Sequence, residues 1–301
     1  MAIKILVLDG GGAKGIMQMV ALMILEQVTG KKICELFDLI VGTSVGSINA
    51  AMLSMGTHTA EQLVEIMKET MPKVFKRTTI FKKFKYSKAP LKKKFNELWG
   101  AETTMACAKT KLIVTTYEDT VGREHFYKSW ELEDGMIPLF DAVDRSSAAP
   151  LYFGQVVDNH NFKVYLDGGV GEFNNPTEYA YIEAKRQGWL DKEVHCYSVG
   201  CGQQDFSRTF KESAGAGVID GVKNFISLKT GGLAKRNAPE NAARFGYAME
   251  DGCWSYDRVE CILKPSKLDA MDKIKYTNKY IEYGEELGHE LVDAFLGRND
   301  G

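Results

Sequence analysis

Ser44 stands inside Gly42-Thr43-Ser44-Val45-Gly46, with a glycine two residues to either side. Where such a G-x-S-x-G run follows a buried strand and opens a helix, the turn is sharp enough to present the serine hydroxyl as a nucleophile. The glycines serve because neighbouring backbone crowds those positions. Asp9-Gly10-Gly11-Gly12-Ala13-Lys14-Gly15 has complementary chemistry, since glycines between a strand and a helix aim backbone N–H groups at a developing anion. Asp167-Gly168-Gly169 adds a carboxylate at a strand end, with glycines that let a substrate or a second backbone approach. Hydroxyl, anion cradle and carboxylate together are the parts of a serine acyl hydrolase.

Each part has a rival reading. Gly10, Gly12 and Gly15 satisfy G-x-G-x-x-G, the fingerprint of a dinucleotide site. That site also wants an acidic residue at the end of the second strand, where this chain has Gly42-Thr43-Ser44 instead. A phosphate-binding P-loop fails because Lys14 is followed by Gly15, not Ser or Thr. A serine nucleophile usually takes its base from histidine. None of His58, His125, His160, His195 and His289 falls in a glycine-rich loop after a strand. Asp167 does, and burial away from cations raises a carboxylate towards a useful basicity. The plain alternatives are a tight structural turn at Ser44 and a turn cap at Asp167.

The elements that must position these residues are legible as hydrophobic runs. Ile3 to Leu8, Phe37 to Val41, Lys111 to Thr116, Glu124 to Tyr127, Phe162 to Leu166, Val194 to Val199 and Trp254 to Leu263 read as strands. Gly15 to Val28, Ser47 to Met55, Glu61 to Thr70, Leu91 to Trp99, Glu178 to Gln187 and Tyr276 to Phe295 read as helices. Alternation of this kind implies a mostly parallel sheet with helices on both faces. Between residues 205 and 251 the pattern is weak.

The chain has 301 residues, 45% hydrophobic and 26% charged, a globular composition with a formal net charge of only −2. That average conceals a segment from Lys73 to Lys94 with ten Lys or Arg and no acid: Lys73, Lys76, Arg77, Lys82, Lys83, Lys85, Lys88, Lys92, Lys93 and Lys94. Phe75, Ile80, Phe81, Phe84, Tyr86 and Leu91 interleave with them. Cations with inserted aromatics suit an anionic membrane surface; nucleic acid or an acidic partner would suit them equally, and a solvated basic face over ordinary core aromatics is the plain account. Six scattered cysteines without C-x-x-C spacing fit reduced thiols in a cytoplasmic protein. No secretory signal and no spanning helix is expected, and His289-Glu290 lacks the second histidine of a zinc motif.

The three motifs, in this order, resemble the signatures of patatin-like phospholipases. Arg145-Ser146-Ser147-Ala148-Ala149-Pro150-Leu151-Tyr152-Phe153, Asn174-Asn175-Pro176 and Ser198-Val199-Gly200-Cys201-Gly202 extend the likeness, with Lys14 where many members carry arginine. The resemblance implies a three-layer α/β/α sandwich and a Ser44–Asp167 dyad without histidine. It places the oxyanion site at Gly10, Gly11, Gly12 and Ala13, with Lys14, Gly15, Gly168 and Gly169 in support. The implied substrate is an acyl lipid such as a phospholipid, with no metal or organic cofactor. The expected organisation is one hydrolase domain over 1–301, with a cap-like basic insertion around 71–100 and a variable region over 205–301. Nucleic acid is not an expected partner; an anionic membrane surface is. A nonlipid esterase or acyltransferase on the same dyad, and a non-catalytic lipid- or nucleotide-binding module, are the rivals.

Overall fold

The computed structural model describes residues 2–78, 84–204, 253–264, 268 and 270–297. Lys82, Lys83 and the 205–251 region lie outside the described residues. Ten strands are described: β1 (Ile3–Leu8), β2 (Leu39–Thr43), β3 (Lys111–Glu118), β4 (Arg123–Lys128), β5 (Val156–Asp158), β6 (Lys163–Asp167), β7 (Val194–Val199), β8 (Gln203–Gln204), β9 (Trp254–Val259) and β10 (Ile262–Leu263). The α-helices among the described residues are α1 (Ile16–Thr29), α2 (Ile33–Leu36), α3 (Val45–Ser54), α4 (Ala60–Val74), α5 (Ala89–Trp99), α6 (Leu132–Gly135), α7 (Leu139–Ser146), α8 (Thr177–Arg186) and α9 (Thr277–Gly297).

The main sheet runs β5-β6-β3-β2-β1-β7-β9, with β4 on the outer edge of β3. Strands β3, β2, β1, β7 and β9 are mutually parallel, while β4, β5 and β6 are antiparallel additions. A strand covered on both faces must be apolar at successive positions. In β1, Leu6 and Leu8 enter the larger core cluster, while Ile5 and Val7 enter the smaller one with α8 residues Tyr179, Ala180 and Ala184. Helices α1, α3, α4, α5, α7 and α9 contribute to the larger cluster. The sheet thus has helices on both sides, as expected.

Several local readings change. The helix expected over Glu61–Thr70 runs on to Val74, carrying Pro72 in its last turn. Trp254–Leu263 is broken after Val259, and Ile262–Leu263 pairs with β8 in a separate two-stranded sheet. The eight-residue α7 and the three-residue β5 had no sequence reading, being too short for periodicity to register. Within 71–100, Leu91 and Phe95 of α5 are 4% and 3% exposed in the larger core. Against that core, α9 lies on α1 through Gly284, where an added Cβ would come within 2.8 Å of the Met17 carbonyl oxygen.

The sheet topology brings the two catalytic candidates together. β2 pairs with Lys111 to Thr115 of β3 in parallel, and β6 pairs with Thr116 to Glu118 in antiparallel. Because β4 occupies the opposite edge of β3, β2 and β6 lie in line on one edge, C-terminal end to C-terminal end. Thr43 pairs with Thr115 and Asp167 with Thr116, adjacent positions of one strand. Residues separated by 123 positions in sequence therefore become neighbours.

Candidate active site

Ser44 has φ 56° and ψ −121°, a backbone conformation that L-residues rarely occupy. The strain is held from several directions. The Ser44 N–H donates to Ser146 Oγ at 3.0 Å, and Ser47 Oγ–H donates to the Ser44 carbonyl at 2.6 Å. Thr43 Oγ1–H donates to the Phe173 carbonyl at 2.6 Å, so Thr115 is the donor in the 2.7 Å contact between the two threonine hydroxyls. Gly42 and Gly46 are required for approach: an added Cβ would sit 2.3 Å from the Gly46 or Leu8 carbonyl oxygen respectively. The N-terminus of α3 begins at Val45, so its dipole favours a developing alkoxide on Ser44.

Ser44 Oγ–H donates to Asp167 Oδ2 at 2.6 Å, while Asp167 Oδ1 accepts the Gly169 N–H at 2.8 Å. Both residues are buried, at 5% and 6% exposure. Burial raises the Asp167 carboxyl above its ordinary range, opposed by the Ser44 hydroxyl, the Gly169 N–H and the positive field of Lys88. A base that starts too weak is strengthened in this way. None of the described hydrogen bonds joins a histidine to either residue. Three of the five histidines face other groups, His58 facing Thr57, His125 Asp134 and His195 Ser255.

The glycine loop lies against this pair, with an added Gly10 Cβ 3.2 Å from Ser44 Cβ. Its four expected anion donors separate into two kinds. Gly10 N–H donates to the Asn174 carbonyl at 3.0 Å, and Ala13 N–H to the Met271 carbonyl at 2.7 Å. Among the described residues the Gly11 and Gly12 N–H groups have no hydrogen-bond partner. In this conformation Gly10 and Ala13 thus shape the loop, and only Gly11 and Gly12 have N–H groups to offer. Lys14 is turned inward at 1% exposure, with Nζ donating to the Gly202 carbonyl at 3.4 Å. Gly15 permits α3 to close on the loop, since an added Cβ would meet Val45 Cγ2 at 2.3 Å. Gly168 and Gly169 are equally confined, by Thr115 Oγ1 at 2.5 Å and Asn174 Oδ1 at 2.7 Å.

An apolar pocket of about 30 Å³ opens on Ser44 and Asp167, lined among others by Ile48, Val74, Phe75, Leu91, Phe153 and Met271. Such a volume holds a water or two, whereas sites for organic ligands run from about 300 Å³. Met271 closes it over Gly12, and Asp272 ties that segment down. Asp272 Oδ2 accepts from Lys85 Nζ at 2.5 Å and from Tyr86 OH at 2.8 Å.

Residue types alone do not reveal Ser146, Lys88 or Met271 as neighbours of this site. Lys88, one of the ten cations of the basic segment, is not a free surface charge: its side chain is 10% exposed beside the pocket and pairs with Asp144 at 2.6 Å. Among the described aromatics of that segment, Phe75 packs on Tyr86 and Phe153 with ring centroids 5.3 and 5.7 Å apart. Lys73, Lys85, Lys93 and Lys94 have carboxylate partners as well. The described part of the segment thus lends Val74, Phe75, Lys88 and Leu91 to the pocket wall and leaves Lys76, Arg77 and Lys92 exposed.

The family model described as patatin-like phospholipase matches residues 6–181, a stretch that contains the glycine loop, Ser44 and Asp167. The chain belongs to the patatin-like phospholipase family. Its relatives include a cGAMP-activated phospholipase of Escherichia coli, 28% identical over 68% of this chain and 64% of that protein. A Vibrio cholerae protein of the same description is 29% identical over 71% of this chain and 68% of its own length. The mouse calcium-independent phospholipase A2-gamma is 30% identical over 67% of this chain but only 29% of its length. The chain thus spans about two thirds of the bacterial relatives and under a third of the mammalian one. The patatin-like fold is matched by the crystal structure of VipD from Legionella pneumophila, with a TM-score of 0.50 at 12% identity, covering 98% of this chain and 67% of that one. Among the described residues no helix is long and apolar enough to cross a membrane.

Proposed function

We propose that the chain is a lipid acyl hydrolase of the phospholipase A or lysophospholipase type, acting through the Ser44–Asp167 dyad. The observation that carries this reading is the 2.6 Å hydrogen bond from a strained, glycine-flanked serine to a buried carboxylate. Ser44 Oγ attacks the ester carbonyl as its proton passes to Asp167 Oδ2. The carbonyl oxygen becomes an oxyanion held by the Gly11 and Gly12 N–H groups, with Gly10 and Ala13 shaping the loop. Collapse expels the alcohol portion, which takes the proton from Asp167. Water then attacks the acyl-enzyme as Asp167 accepts its proton; collapse expels Ser44 Oγ, which takes that proton back from Asp167, and the fatty acid leaves.

The apolar lining supports an acyl chain at the dyad. Exposed Lys76, Arg77 and Lys92 supply positive charge for docking on an anionic membrane from the cytoplasmic side. The whole chain acts as one unit in this reading. The test is fatty-acid release from mixed vesicles containing anionic phospholipid, with and without cGAMP because two relatives are described as cGAMP-activated. Release by wild type, lost in Ser44→Ala and Asp167→Asn, is the expected result. A fluorophosphonate should label wild type and not Ser44→Ala. Labelling without lipid hydrolysis would favour a nonlipid esterase or acyltransferase. Absence of both would leave a binding module on this fold.

A further inference from the structure

We propose that Arg258, far outside the stretch matched by the family model, is the positioning residue of the oxyanion loop and acts through Asp9. Arg258 Nη1 donates to Asp9 Oδ1 at 3.2 Å and Nη2 to Asp9 Oδ2 at 2.7 Å, a two-pronged pair with a carboxylate that is 0% exposed. Nη1 also donates to Ser198 Oγ at 2.7 Å and Nη2 to Glu260 Oε2 at 2.6 Å. The register explains the reach. Arg258 pairs with Ser198 on β7, which pairs with Val7 on β1, and alternation puts Asp9 on the same sheet face as Val7. The guanidinium thus stretches across β7 to the residue just beyond β1, where the glycine loop begins.

Asp9 is fixed at its main chain as well. Its N–H donates to the Val199 carbonyl at 3.3 Å, and its carbonyl accepts from Gln18 Nε2 at 3.0 Å and from Cys201 Sγ at 3.4 Å. With side chain and main chain both held, the next peptide units have a set direction, and they include the Gly11 and Gly12 N–H groups. A fork of fixed geometry suits this task better than a point charge, because it fixes rotation of the carboxylate as well as its distance. The guanidinium also pairs a buried charge that would otherwise stand uncompensated, though it shares that role between Asp9 and Glu260.

This inference rests on the hydrolase reading, and its test separates the two. Wild type, Arg258→Lys, Arg258→Met, Asp9→Asn and the Asp9→Asn/Arg258→Met double variant are compared as full chains. A soluble p-nitrophenyl ester gives kcat and KM, a fluorophosphonate gives the rate of Ser44 labelling, and thermal melting reports folding. Arg258→Met should lower kcat about 10²-fold, the effect of a small misplacement of catalytic groups, with KM within about twofold. Labelling should slow in parallel, Arg258→Lys should recover part of the loss, and the double variant should be no worse than Arg258→Met. A cooperatively melting Arg258→Met that keeps kcat within about threefold, or loses activity through KM alone, overturns the inference. If Arg258→Met fails to fold, wild-type kcat in both Arg258→Lys and Asp9→Asn overturns it instead. Wild type that neither hydrolyses nor labels removes the hydrolase reading, and this inference with it.

Discussion

Ser44 occupies backbone space at φ 56° that glycine enters freely, so the hydroxyl is presented at a conformational cost. Ser44→Gly should therefore be more stable than Ser44→Ala by about 1 kcal/mol or more, measured by denaturant unfolding of the two inactive variants. Asp167 gives a second prediction. Its carboxyl is raised by burial, so kcat/KM should fall on acidification with a midpoint above the usual aspartate value of about 3.9. The sign for stability is opposite to that for activity. A carboxyl raised in the folded state contributes stability below its unfolded value, and that contribution is lost as pH rises through the folded value. Asp167→Asn should accordingly melt higher than wild type near pH 8 while losing hydrolysis, and an unchanged or lower Tm would count against this. Both residues were legible in sequence because each sits between a strand and glycines. Arg258 was not, since nothing within ten residues of it distinguishes it from any strand arginine, and its partner Asp9 lies 249 positions away.

At the scale of elements, the short apolar runs made the parallel strands readable, because burial on both faces leaves a continuous signature. The pieces that finish the site were harder. α7, which delivers Ser146, is two turns long, and its periodicity has no room to repeat. The segment carrying Met271 and Asp272 is irregular backbone whose role comes only from what it touches. That segment yields a third prediction. The partly exposed Lys85–Asp272 pair contributes up to about 1 kcal/mol to keeping the pocket mouth covered. Asp272→Asn should then raise the rate on a soluble ester by up to about fivefold, with Ser44 labelling accelerated to match. A rate equal to or below wild type would show that Met271 does not limit entry. Gly46→Ala supplies a control on the elbow, since its Cβ would press on the β1 backbone. It should cost about 2 kcal/mol or more in unfolding free energy.

Across the whole molecule, the layered architecture was legible from alternating strands and helices, but the distribution of function along the chain was not. The clear motifs end at Gly169, yet β9 brings Arg258 to the loop and α9 places Phe295 against Tyr197 and Phe37, with ring centroids 5.3 and 5.8 Å apart. A chain cut after residue 204 retains every recognisable motif and loses both supports. It should lack a cooperative melting transition and take up no fluorophosphonate, whereas cooperative melting with labelling would show the later elements to be dispensable.

The in-line meeting of β2 and β6 on β3 also sets the order in which a refolding chain becomes reactive. β3 and β4 form a local hairpin, whose pairing closes few residues and comes quickly. The seat for Asp167 beside Ser44 exists only after two strands from distant parts of the chain have docked on the same edge, one pointing each way. Ester hydrolysis during refolding therefore reports the long-range step, and should lag behind the circular-dichroism signal of the helices.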